Sequence, residues 1–127
     1  HRGVLALARR TPPPPIDRVL PPPPSRALAL GLIGLANADN VGACFRNAAA
    51  FGADAVLLDS ECCDPLYRKA IRVSSGHALS MPYAQAPADA LEQALRAHQM
   101  DVWSLTPSGG TPLHALTPPR RLTVLLG

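Results

Sequence analysis

The feature that most restricts the fold is residues 37–52, a polar turn and a helix-forming run set between two apolar, strand-like stretches. The first stretch is residues 27–35 and the second is Ala55-Val56-Leu57-Leu58. Neither alternates polar with apolar, so each reads as a strand buried on both faces. Asn40 is predicted to cap a helix over residues 41–51, with Gly52 at the C′ position that closes it. Loops at the carboxyl ends of strands are where open α/β sheets bind ligands. Arg46, on the first turns of the helix after such a loop, is well placed to meet phosphate.

The alternation continues downstream. Pro65 suits the first turn of a helix running to about Val73, and residues 78–83 read as a short extended piece. Residues 88–99 are amphipathic, with Leu91, Ala94, Leu95 and His98 on one face. Residues 101–105 form a strand, 106–119 a loop rich in Pro and Gly, and 122–126 a last strand. Strands alternating with helices predict an α/β fold, a mostly parallel sheet with helices on both faces. At 127 residues the chain makes one domain at most. Only 4% of it is aromatic, so Ala, Leu and Val must fill the core.

Residues 1–26 stand apart as a basic, proline-rich interdomain linker. Eight of the 15 prolines lie in two blocks, residues 12–15 and 21–24, which no helix or sheet interior accepts. They are expected to run as stiff polyproline spacers, and a ligand for a proline-reading domain is the sharper reading. Residues 3–8 read as a short strand. Arg2, Arg9, Arg10, Arg18 and Arg26 face one acid, Asp17, in a chain of formal charge +3. Such an arm suits nucleic acid, and equally a linker kept soluble by charge. Opening on His1 and stopping on Gly127, the chain reads as a piece of a longer protein.

Three cysteines, Cys44, Cys62 and Cys63, imply no disulfide framework, and a reducing, cytoplasmic setting fits best. His77, His98 and His114 lack zinc spacing, so no metal is expected. No apolar run reaches the roughly 18 residues of a membrane span, and no signal peptide is visible.

Three polar constellations carry candidate chemistry. Asn40, Gly42 and Arg46 come first: Gly42 and Arg46 share a helix face, so the Gly leaves room for a ligand beside the guanidinium. Residues 72–77 follow, where Arg72 and Ser75 offer a second phosphate contact and His77 a base. Residues 105–110 form a polar loop at a strand's carboxyl end, a natural wall for a nucleoside. Each also reads as ordinary structure: a capped helix with a surface Arg, a Gly-ended helix with hydroxyls on local backbone, a connecting loop. Gly31 and Gly34 lie inside a strand and make no dinucleotide fingerprint.

Taken in order, these segments resemble the SpoU (TrmH-like) RNA ribose methyltransferases of the SPOUT superfamily. The N-x-G-x-x-x-R core of Asn40, Gly42 and Arg46 with Ala50-Phe51-Gly52 is similar to the first motif. Arg72-Val73-Ser74-Ser75-Gly76 is similar to the R-x-S-x-G stretch after it. Residues 122–127 resemble the strand opening the second motif, and residues 1–4 the junction with an RNA-binding domain. The resemblance implies that residues 27–127 are the N-terminal portion of a methyltransferase domain, truncated at the second motif. It implies a trefoil knot, incomplete here, and a homodimer with the active site at its interface. It implies S-adenosylmethionine as methyl donor to a ribose 2′-hydroxyl of tRNA or rRNA, with no metal. Arg46 would then be catalytic and Asn40 would support it. Leu105, Thr106 and Gly127 would bind cofactor, and Arg72 and Ser75 would meet RNA. Ala38-Asp39 and His77 depart from the usual pattern without removing a catalytic side chain. A family member that binds RNA without methylating it is the alternative.

Overall fold

The computed structural model describes residue 3 and residues 7–127. Most of the strand expected at residues 3–8 lies outside the described residues, as does Arg2. The strands are β1 Ala27–Leu32, β2 Ala55–Leu58, β3 Tyr83–Gln85, β4 Asp101–Ser104 and β5 Arg121–Leu126. The helices are α1 Ala38–Ala50, α2 Arg68–Val73 and α3 Ala88–Ala97. The sheet runs β3-β2-β1-β5-β4, with every neighbouring pair parallel. The chain winds outward from β1 to β3, crosses to the far edge at β4, and returns to lay β5 against β1. The order of winding therefore reverses between β1 and β5, the point where such sheets open a ligand crevice.

Both faces are covered, as expected. Alternate residues of β1 point opposite ways. Leu32 joins Val56, Leu58, Val41, Phe45 and Ala48 beneath α1. Ala27 and Ala29 join Ala55, Leu57, Leu91, Leu95 and Met100 beneath α3. Phe45 meets Tyr83 edge-on, ring centroids 5.8 Å apart.

Several boundaries differ from the sequence reading. Helix α1 begins at Ala38, and its cap is Asn37 rather than Asn40. Asn37 Oδ1 accepts the amides of Asp39 at 2.8 Å and Asn40 at 3.3 Å. Capping there also puts Asp39 in the first turn, where the helix dipole favours an anion. Gly52, with φ +69°, ends the helix as expected. Helix α2 starts at Arg68, not at Pro65, because Asp64 Oδ1 accepts the Leu66 amide and holds a turn. Residues His77–Leu79 form a 3-10 turn where an extended piece was expected. Ser74 Oγ accepts the Ala78 amide at 3.2 Å and tightens that turn.

Part of the proline-rich segment packs on the domain. Ile16, Val19 and Leu20 are buried in the α3-side core. His98 Nε2 lies 2.8 Å from Asp17 Oδ1. Arg121 donates to the carbonyls of His98 and Pro21, both at 2.8 Å, and to that of Ser25. Farther out, Arg10 pairs with Asp64.

Candidate active site at the carboxyl edge of the sheet

The exits of β1 and β5 run side by side. The Ile33 amide donates to Leu126 O at 2.9 Å. A Cβ on Gly127 would stand 2.9 Å from Ile33 O, so only glycine lets the two exits touch without a shift. On the next strand the Leu105 amide donates to Leu125 O at 2.9 Å. Leu105, Thr106 and Gly127 therefore share one stretch of the edge, at the ends of neighbouring strands. The Thr106 hydroxyl donates to Ser108 O at 3.0 Å and starts the exposed loop. On the α1 side, an apolar cleft of about 660 Å³ opens between α1 and this loop, walled by Leu30, Phe51, Trp103, Leu105, Leu113 and Leu126.

The arginine side is built by close helix contact. A Cβ on Gly42 would meet Ala70 O at 2.6 Å, Val73 Cβ at 2.9 Å and the Ser74 amide at 3.1 Å. Gly42 does not leave room for a ligand beside Arg46. The α2 backbone fills that room, because the buried glycine lets two helices approach to backbone contact. The effect on Arg46 is indirect. One turn beyond Gly42, its Nη1 donates to Val73 O at 3.4 Å and the guanidinium stays exposed. The residues after Val73 then turn sharply. Ser74 is fully buried; its hydroxyl donates to Ile71 O at 2.8 Å. Ser75, with φ +55°, is exposed next to it. Of the two hydroxyls, one is structural and the other is open. Arg72 is exposed on the last turn of α2, and Asn40 is exposed on the first turn of α1. Arg46, Arg72 and Ser75 thus gather around the end of α2. Lys69 is engaged with Asp39 at 2.7 Å.

Cys44 and Cys62 are poor nucleophiles. Burial pushes Cys44 above its ordinary value. Burial, then a hydrogen bond with Asp59, pushes Cys62 up to about 11. Among the described residues, no group of three or more His, Cys, Asp or Glu is placed to hold a metal. No helix among them is long and apolar enough to cross a membrane. A fixed cation, exposed hydroxyls and an apolar cleft suit a reaction limited by alignment of an anionic polymer with a second substrate.

Sequence reasoning missed Asp59. It follows β2 directly, is 4% exposed, and its carboxylate accepts amides from Gly34, Glu61 and Cys62. The available signal was an acid placed immediately after a wholly buried strand.

The model of the SpoU rRNA Methylase family matches residues 27–127. A Mycobacterium tuberculosis (strain CDC 1551 / Oshkosh) protein described as an uncharacterized tRNA/rRNA methyltransferase is 50% identical over 86 residues, 68% of this chain and 29% of that protein. A protein of the same description from Synechocystis sp. is 39% identical over 64 residues, 50% of this chain and 23% of that one. The chain thus spans under a third of the length of these relatives. Among solved structures, the SpoU methyltransferase AviRb from Streptomyces viridochromogenes in complex with AdoMet superposes with TM-score 0.81 at 20% identity, covering 91% of this chain and 47% of that one. An RNA 2′-O ribose methyltransferase gives TM-score 0.73 at 24% identity, covering all of this chain and 44% of that one. At such identities these structures establish the fold, the parallel α/β sheet of SPOUT methyltransferases.

Proposed function

The chain belongs to the SpoU rRNA Methylase family, and from that premise we propose that it is part of an RNA methyltransferase acting on a ribose 2′-hydroxyl of tRNA or rRNA. The observation that carries the reading is Arg46, held exposed on Val73 O beside the turn that bears Ser75. The proposed enzyme is cytoplasmic, works as a homodimer and takes S-adenosylmethionine as methyl donor.

The residues present fit that cofactor. Gly127 lies bare against Ile33 O, Leu105 offers apolar surface, and Thr106 offers a hydroxyl. These suit the sugar and base of a nucleoside, and the bound group supplies a methyl already activated by a sulfonium charge. This chain's own residues have to align the attacking oxygen. A ribose hydroxyl is a weak nucleophile, so alignment and proton removal dominate the barrier. Arg46 is too basic to take a proton itself, with a pKa above about 12. Its planar fork instead holds the sugar-phosphate, orients the 2′-hydroxyl and lets a neighbouring phosphate oxygen receive the proton. Asn40, exposed on the first turn of the same helix, supports the site. Arg72 and Ser75 bind the flanking backbone. The 2′-hydroxyl also makes RNA, rather than DNA, the substrate.

The test is methyl transfer from labelled S-adenosylmethionine to RNA by the full-length protein, followed by nucleoside analysis. A 2′-O-methyl product is expected. Arg46→Ala lowers turnover by at least about 100-fold with the fold intact. Arg46→Lys fails as well, since the bidentate fork is lost. Near-normal turnover in Arg46→Ala removes Arg46 from the mechanism. RNA binding without any methyl transfer by the wild type selects the non-methylating reading.

A further inference from the structure

The β1 exit, residues 32–35, presents main-chain polar groups that no strand partner can fully satisfy. The loop after β2 takes four of them, Leu32 O, the Gly34 amide, and the amide and carbonyl of Leu35. The Asp59 amide donates to Leu32 O at 3.0 Å, and the Cys63 amide to Leu35 O at 2.9 Å. The Cys62 thiol donates to Leu32 O and accepts the Leu35 amide, both at 3.3 Å. Asp59 Oδ2 accepts the Gly34 amide at 2.9 Å. Its other oxygen, Oδ1, accepts the amides of Glu61 at 3.1 Å and Cys62 at 2.9 Å. Gln85 Nε2 secures the Asp59 carbonyl at 3.1 Å.

We propose that Asp59 is a positioning residue that sets the register between the cofactor half and the arginine half of this edge. The proposal rests on the reading of the edge as a methyl-transfer site. Residues 33–37 are the only covalent link between the β1 exit and α1. On one side of that strip, Ile33 bears on Gly127. On the other, the Ala36 amide donates to Gly34 O at 3.0 Å, and Asn37 caps the helix carrying Asn40 and Arg46. Gly34 sits at φ +64°, in the left-handed region that turns the chain, and its amide meets the carboxylate. Asp59 is thus the one side chain whose two oxygens bind both the strip and the loop that grips it. Amide bonds to a carboxylate are the stronger, charge-assisted kind. An amide in its place keeps one acceptor oxygen and turns an NH2 toward a donor. The strip would then shift without losing its core contacts, and an offset near 1 Å between reacting groups is costly in turnover.

The experiment compares wild type, Asp59→Asn, Arg46→Ala and the double variant in the full-length protein. Two quantities are read: RNA-methylation kinetics, and amide hydrogen exchange across residues 33–37. In Asp59→Asn, kcat is expected to fall about tenfold or more while KM for RNA stays within about twofold. Exchange across the strip should quicken. Added to Arg46→Ala, the same change should cost little more, because the two act on one alignment. Unchanged kcat with quickened exchange makes Asp59 merely structural and overturns the proposal, and so does unchanged exchange. If the wild type transfers no methyl group, the functional reading fails, and exchange alone still decides whether Asp59 holds the strip. Should Asp59→Asn not fold, Cys62→Ala takes its place. It frees the Leu35 amide, and a fall in kcat of about threefold at constant KM supports the same strip; full activity with a loosened strip refutes it.

Discussion

Around Arg46 the main chain is tied down on every side, whereas around Thr106 it stands in solvent. Asp59, Cys62 and Ser74 are buried; the first two bond the strip that leads into α1, and Ser74 ties the turn after α2. Every residue from 104 to 118 is exposed, and β4 buries little of either face. The two regions lie on one sheet edge and serve one reaction in the reading given above, yet they obtain their shape differently. The first holds its geometry by bonds within the chain. The second has few such bonds, so its side chains answer to what is placed against them. Changes in the buried groups of the first should therefore disturb fold and turnover together, and changes in the second should spare stability.

That contrast can be broken most directly at Gly42. Gly42→Ala puts a methyl against the Ala70 carbonyl and Val73, and should cost about 3 kcal/mol in urea unfolding, since the backbone cannot swing away. A loss below about 0.5 kcal/mol would show that the helices part easily and that the arginine half is not rigid. A smaller effect is expected from pH. The Cys62 thiol is raised from 9.0 to about 11 in the folded state, so its contribution is whole below pH 9.0 and drains away as pH climbs to about 11. The stability gap between wild type and Cys62→Ser, followed by urea midpoints, should narrow over that window. A constant gap would mean that the thiol titrates alike in both states. The smallest effect belongs to the open half. Leu113 and Leu116 are 61% and 38% exposed, and changing both to Ser should move stability by no more than about 0.5 kcal/mol. A larger loss would give the 106–119 loop a packing role and erase the difference between the halves.

The sequence was most legible where apolar runs are long and unbroken. β1, β2, β5 and α3 follow from hydrophobic patterning, because burial on one or both faces dictates it. Boundaries set by single polar side chains were harder. Asn37 and Asn40 are equally good caps by type, and only the length of the β1 exit decides between them. Gly42 invited the wrong explanation: a glycine one turn before an arginine is as compatible with a ligand as with a neighbouring helix. Ser74 and Ser75 are identical in the sequence and opposite in the structure, one buried and one open. Asp59 was invisible because the partner that gives it a role beyond its own loop, Gly34, lies 25 residues away. Ile16, Val19 and Leu20 were masked by the prolines around them, which argue against regular structure but not against burial. The resemblance supplied what patterning could not, namely the candidate roles proposed for Arg46 and for the strand ends.

The order β3-β2-β1-β5-β4 leaves its mark on how the chain acquires this edge. The strand that fills the slot between β1 and β4 is the last of the five to be synthesised. A nascent chain on the ribosome that has emerged only through β4 holds three paired strands, an unpaired edge on β1 and a strand with no neighbour. Such an edge recruits any extended segment nearby. The late insertion of β5 both closes that vulnerable slot and brings Gly127 against Ile33. Closure of the sheet and assembly of the crevice are therefore one event.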